Sequence, residues 1–254
     1  NANPGGSFPA DMLVSRPCIV VQGPDGILNL SVEDNQMSSW AGEADDVTWP
    51  DIQYPYQGIL LNIGTCENIK VEGNQITDHG FGGAFSGSGG NMNGTNAKLC
   101  GGIIVTTWRL SSPSTQASLK SNMVKLKDVA YGACIYLDPG DDGVGPDGTG
   151  PSQLDICGNN CWVNASFNQV GTAIAIGNEF YGVISAASGV DRLLINDNLC
   201  YNTLQGLNAY ATAAMDLGAG SSTWQFAYAT VSGNQVTHML GVSAIKAIFT
   251  TSTN

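Results

Sequence analysis

Six asparagines set the frame of this chain. An apolar residue, any residue, a turn former, Asn, any residue and a second apolar residue recur as VEDNQM (Val32–Met37), VEGNQI (Val71–Ile76), LKSNMV (Leu119–Val124), ICGNNC (Ile156–Cys161), INDNLC (Ile195–Cys200) and VSGNQV (Val231–Val236). The central residues are Asn35, Asn74, Asn122, Asn159, Asn198 and Asn234, separated by 39, 48, 37, 39 and 36 positions. A period in this range marks stacked supersecondary units. One such unit cannot bury its apolar side alone, so neighbouring units must pack on one another.

The alignment extends on both sides of the asparagine. Five residues before it stand Leu30, Ile69, Ala117, Leu154, Leu193 and Ala229, and three before it Val32, Val71, Leu119, Ile156, Ile195 and Val231. Two residues after it stand Met37, Ile76, Val124, Cys161, Cys200 and Val236. Side chains alternate along a strand, so the positions five and three before Asn share one side. The residue just before Asn is Asp, Gly, Ser, Gly, Asp and Gly in turn, all turn formers. Each unit therefore reads as a half-buried strand, a tight bend at Asn, and a strand that re-enters the core. A further strand opens most units: GILLN (58–62), GIIVT (102–106), GACIYLD (132–138), TAIAIG (172–177), AAMDLG (213–218) and GVSAI (241–245). Loops of variable length fill the distance from this strand to the bend.

The pattern resembles the right-handed parallel β-helix of the pectate-lyase-like superfamily over roughly residues 18–250. The resemblance implies an all-β solenoid with variable loop insertions between coils. It also implies that the six asparagines stack and bond neighbouring backbones through their amides. Asn tolerates the left-handed conformation that the bend requires. The expected organisation is an N-terminal extended arm over 1–17 and one β-helix domain over 18–254. The fold hosts lyases, hydrolases, adhesins and viral spikes, so it does not select an activity.

Composition narrows the partners. Lys and Arg number nine against 21 Asp and Glu, a net charge of −12. Phosphate backbones need clustered positive charge, so a nucleic-acid partner is not expected. No stretch approaches the ~20 apolar residues of a membrane-spanning helix. The start of the chain has neither a basic nor an apolar leader segment, and it reads as a processed form or part of something longer. Cys18, Cys66, Cys100, Cys134, Cys157, Cys161 and Cys200 make an odd number, so not all can pair within the chain. Cys161 and Cys200 fall on a core position and read as buried thiols. Cys157 falls two before Asn, on the outer side, and is the thiol expected to be accessible.

Candidate chemistry gathers on the outer side of the opening strands. If Ile59, Leu61, Ile103, Val105, Ile135, Leu137, Ile174, Ile176, Met215 and Leu217 point inward, one outward column is Leu60, Ile104, Tyr136, Ala175 and Asp216. That column is too apolar for a solvated face, and a loop of this chain, a further domain or another subunit should cover it. Tyr136, Asp138, Asp216 and Trp108 are the candidate binding residues. Asp138 and Asp216 would lie roughly 10 Å apart across two rungs of ~4.8 Å, at the edge of the carboxyl separation of inverting glycosidases. Asp138, Asp141, Asp142 and Asp147 sit in a Gly-rich segment whose oxygens suit Ca2+, although the spacing is not that of an EF-hand. No catalytic residue is assigned. Arg109 and Arg192 match no uronate-lyase motif, and an acidic surface repels a polyanionic substrate.

The expected function is a non-catalytic structural or surface-binding module of a larger extracellular, cell-surface or virus-tail assembly. Self-association is expected, with polysaccharide as a candidate ligand. The alternative is a polysaccharide-degrading glycoside hydrolase or lyase on the same fold.

Overall fold

The computed structural model describes residues 16–23, 27–39, 56–63, 66–78, 100–106, 116–137, 153–177, 189–204, 213–219, 225–239 and 243–247. All regular structure in them is strand, and every strand pairing is parallel. The chain winds as a right-handed parallel β-helix with three strand positions per coil.

The strands before the bend form one six-stranded sheet. They are β2 (Ile27–Glu33), β5 (Cys66–Glu72), β8 (Gln116–Lys120), β10 (Gln153–Cys157), β12 (Gly189–Asn196) and β15 (Gln225–Ser232). The strands after the bend form the second wall: β3 (Gln36–Ser39), β6 (Gln75–Asp78), the first parts of β9 (Met123–Leu137) and β11 (Asn160–Gly177), β13 (Leu199–Leu204) and β16 (Gln235–Met239). The opening strands form the third: β1 (Arg16–Gly23), β4 (Tyr56–Ile63), β7 (Cys100–Thr106), the later parts of β9 and β11, β14 (Ala213–Ala219) and β17 (Ser243–Ala247).

β1 starts at Arg16 and supplies an opening strand to the first unit, pairing Ile19 with Ile59 and Val21 with Leu61. It carries no upstream asparagine bend, so the repeat does not announce it. The extra residues are distributed over two corners rather than one. Segments 107–115, 138–152 and 178–188 separate opening from pre-bend strands, whereas 40–55 and 79–99 separate post-bend strands from the next opening strand. In β9 and β11 the chain passes that second corner without leaving the strand.

The core follows the predicted rows. Val71, Leu119, Ile156 and Ile195 stack in register, as do Ile76, Val124, Cys161 and Cys200, and all are fully buried. Ile59, Ile103, Ile135, Ile174 and Met215 close the third side in one continuous row. These rows merge into a single apolar cluster along the axis. Burying each such side chain contributes about 1.5–3 kcal/mol.

The bend is held by the asparagines. Asn74, Asn122, Asn159 and Asn198 are the buried polar residues among those described. Each amide nitrogen donates to the Oδ1 of the next asparagine, Asn35 to Asn74, Asn74 to Asn122, Asn122 to Asn159, Asn159 to Asn198 and Asn198 to Asn234, at 2.9–3.0 Å. The same nitrogens reach back to the carbonyl three before the previous asparagine, as Asn122 does to Val71 at 2.8 Å. Each Oδ1 also accepts the backbone N–H of the preceding asparagine. The left-handed residue is not the asparagine but the one before it. Asp34, Gly73, Ser121, Gly158, Asp197 and Gly233 have φ between 55° and 67°. That leaves the asparagine extended enough to turn its amide inward. Along this column every residue with a side chain is followed by a glycine: a Cβ on Gly73 would stand 2.2 Å from the Asp34 carboxylate oxygen.

Two outcomes follow. Asn122→Ala should cost about 4 kcal/mol in denaturant unfolding, because it takes the side-chain partner from the buried Asn74 N–H and from the Val71 carbonyl, at ~1–3 kcal/mol each. Asn35→Ala, at the first rung and half-buried, should cost only about 1 kcal/mol. Gly158→Ala should cost about 1 kcal/mol from left-handed strain alone, and Gly73→Ala more, since the Asp34 carboxylate must also move away.

Candidate functional site

The register aligns the column read from the opening strands in one row. Leu60, Ile104, Tyr136, Ala175 and Asp216 occupy one row across β4, β7, β9, β11 and β14. Leu60 is half-buried, while Ile104 and Tyr136 are fully buried within one chain and lie outside the central apolar cluster. The apolar face is thus covered there within the chain itself. Tyr136 is an interior residue, not a surface one. Asp216 stands two rungs from Tyr136, with its backbone opposite Lys246 of β17. Asp138, Asp141, Asp142, Asp147 and Trp108 lie outside the described residues. Among the described residues no group of three or more His, Cys, Asp or Glu is placed to hold a metal ion.

A second surface is the outer side of the six-stranded pre-bend sheet. Period-two alternation brings three columns there. The first is Asn29, Asn68, Gln116, Gln153, Arg192 and Tyr228; the second Ser31, Lys70, Ser118, Asp155, Leu194 and Thr230; the third Glu33, Glu72, Lys120, Cys157, Asn196 and Ser232. These side chains bond across rungs. Asn68 donates to Asn29 at 3.0 Å, Ser118 to Glu72 at 2.8 Å and Ser232 to Asn196 at 2.9 Å. Lys70 bridges Glu33 at 2.7 Å and Glu72 at 3.3 Å, and Lys120 lies 3.6 Å from Asp155. Gln153 donates to both Asp155 oxygens at 3.1 and 3.2 Å. The Lys70 ammonium, with the Ser31 hydroxyl, holds the Glu33 carboxyl below its ordinary range, and Glu33 and Glu72 in turn raise Lys70. The outer positions were legible as an alternation in the sequence; their bonding needed the register between coils.

The post-bend wall carries an aromatic pair. Trp162 and Tyr201 sit on adjacent rungs, half-buried, with ring centroids 6.3 Å apart and planes 25° from parallel. Trp162 thus belongs to the solenoid wall and not to a loop. Stacking along the axis turns each ring face toward a neighbouring rung, so the pair braces the wall.

The thiols divide by depth. Cys161 and Cys200 are opposite one another in adjacent strands, and both are fully buried. Cys134, also buried, donates to the Trp162 carbonyl at 3.3 Å. The neighbouring Cys134 thiol and, after it, burial hold Cys161 well above the usual thiol range, with Cys200 acting the other way. Cys200 is raised by Cys161 first and by burial second. Cys157 is half-buried and its thiol is raised chiefly by desolvation, while Cys18 is exposed. The sequence reading favoured Cys157 as the accessible thiol; Cys18 on the edge strand β1 is the more open of the two.

No family model, no curated protein and no solved structure matches the chain.

Thiol labelling checks this placement. Because the thiolate is the reactive form, an aromatic disulfide reagent near neutral pH should modify the half-buried Cys157 slowly. Cys66, Cys134, Cys161 and Cys200 should react only on unfolding, with mass-spectrometric mapping of labelled sites as the readout.

Proposed function

We propose that this chain is a non-catalytic β-helix module of the pectate-lyase-like kind, a structural or surface-binding part of a larger extracellular, cell-surface or virus-tail assembly. The observation that supports it best is the way the acidic groups of the pre-bend face are engaged. Glu33, Glu72 and Asp155 are each held by a lysine or by uncharged donors of the next rung or their own strand. A general acid or base has to be available to a substrate atom at about 2.6–3.2 Å. Carboxylates tied into lateral bonds instead fix the shape of a wall. That wall presents amides and hydroxyls at the rung spacing of ~4.8 Å, suited to packing against neutral partners of similar repeat, such as a polysaccharide or a neighbouring subunit. The net charge of −12 disfavours polyanions in the same role.

The test is incubation with a panel of neutral and uronate-containing polysaccharides. New reducing ends and unsaturated-uronate absorbance are followed alongside retention of the protein on insoluble glycans. No turnover above buffer is expected. Turnover that Asp138→Asn or Asp216→Asn abolishes would overturn the proposal in favour of a hydrolase or lyase.

A further inference from the structure

We infer that Cys134 and Cys161 form a disulfide bond that ties the opening wall to the post-bend wall within one coil, with Cys200 left as a thiol. This goes beyond the structural reading and holds whatever the outer walls bind.

The repeat sets the two thiols against one another. Cys161 belongs to the inner row of the post-bend wall: Ile76, Val124, Cys161 and Cys200. The facing row of the opening wall is Gly58, Gly102, Cys134 and Ala173, each just before the paired residues Ile59, Ile103, Ile135 and Ile174. The two rows meet rung by rung. A Cβ on Gly58 would stand 2.7 Å from Ile76 Cγ2, and one on Gly102 2.2 Å from Val124 Cγ1. A branched residue on one row therefore takes glycine on the other. One rung later both positions are cysteine, and the rung after that sets Ala173 against Cys200.

Distance selects the partner. A Cβ on Gly102 would lie 3.2 Å from the Val124 Cβ, and Cys134 and Cys161 hold the equivalent positions one rung on. A disulfide joins Cβ atoms roughly 3.5–4.5 Å apart, so this approach needs only a slight opening to fit. Cys161 and Cys200 are instead stacked in register on parallel strands, which keeps their Cβ atoms at the ~4.8 Å rung spacing, outside that window. The Cys134 sulfur already reaches across the corner. It lies 3.7 Å from the carbonyl oxygen of Val124, which pairs with Cys161, and 3.3 Å from that of Trp162, which follows it. Cys134 and Cys161 are both fully buried, and Cys134 is the leading reason that the Cys161 thiol is held above its usual range.

Both residues stand as thiols in the structure. The bond forms by exchange with an oxidised disulfide of the glutathione class. One cysteine thiolate attacks that disulfide, releases one small thiol and leaves a mixed disulfide. The second cysteine then attacks the protein sulfur of the mixed disulfide and releases the other small thiol. The cysteine pair loses two electrons and two protons, which leave on the two small thiols. Burial of both sulfurs requires that the exchange precede closure of the coil. The product is a covalent ring from 134 to 161, which removes conformational freedom from the unfolded chain.

The reduced, denatured chain is refolded over a series of reduced-to-oxidised glutathione ratios, and the remaining thiols are alkylated in denaturant. Non-reducing peptide mapping by mass spectrometry should find Cys134 linked to Cys161 and Cys200 alkylated. The oxidised chain should melt about 10 °C above the same chain reduced. That gap should vanish in Cys134→Ala, where alanine matches Ala173 of the same row, and persist in Cys200→Ala. Cys134 and Cys161 both alkylated at every ratio, Cys161 linked to Cys200 in their place, or a gap that survives in Cys134→Ala would each overturn the inference. The map of the wild-type chain needs no substitution, so it decides the matter even where circular dichroism shows that a variant has lost the β-helix.

Discussion

The whole structure depends on a chain of amide bonds that runs through its interior. Stacked coils are held apart by backbone hydrogen bonds on three walls, but the corner between the pre-bend and post-bend walls has no sheet of its own. At that corner the backbone must turn through a left-handed residue, and buried peptide groups on both sides need partners. The asparagine side chain resembles a peptide group, with an acceptor and two donors in one plane. Pointed inward, it accepts from the coil before, donates to the coil after, and returns one donor to a carbonyl of the coil before. One residue per coil thus completes the corner, which is why a polar side chain is the most regular feature of an otherwise apolar interior.

That requirement also explains what could be read from the sequence. The asparagine and its flanking apolar residues fix the register of two walls to the residue, because any slip would break buried bonds at the corner. The third wall has no such anchor, and its strands were legible only where apolar alternation was strong. β1 escaped for this reason: RPCIVVQG is apolar enough for a strand, but no bend precedes it to set its phase. The left-handed position was assigned to Asn on its general tolerance of that conformation. The geometry gives it to the preceding Asp, Ser or Gly, since an asparagine in that conformation would not aim its amide along the axis.

The functional surfaces were less legible for a different reason. A side chain's place in a column follows from alternation, but its environment depends on what covers the column. Ile104 and Tyr136 were read as outward and are outward with respect to the central core, yet they are buried. The bonded pairs of the pre-bend face, such as Lys70 with Glu33, join residues far apart in sequence, so no local motif signals them. Asp138 and the acidic Gly-rich segment after it remain a compositional signal, and their chemistry belongs to residues beyond those described.

The ladder has a consequence for the molecule as a whole. Each asparagine amide points the same way, nitrogen toward the later coil and oxygen toward the earlier one, from Asn35 to Asn234. Six aligned amide dipoles in a low-dielectric interior polarise one another and add, as peptide dipoles do along an α-helix. The solenoid therefore carries a built-in field along its long axis, with a partial negative pole at the first coil and a partial positive pole at the last. A rod-shaped molecule of this kind is electrically directional even where its side walls are uniform.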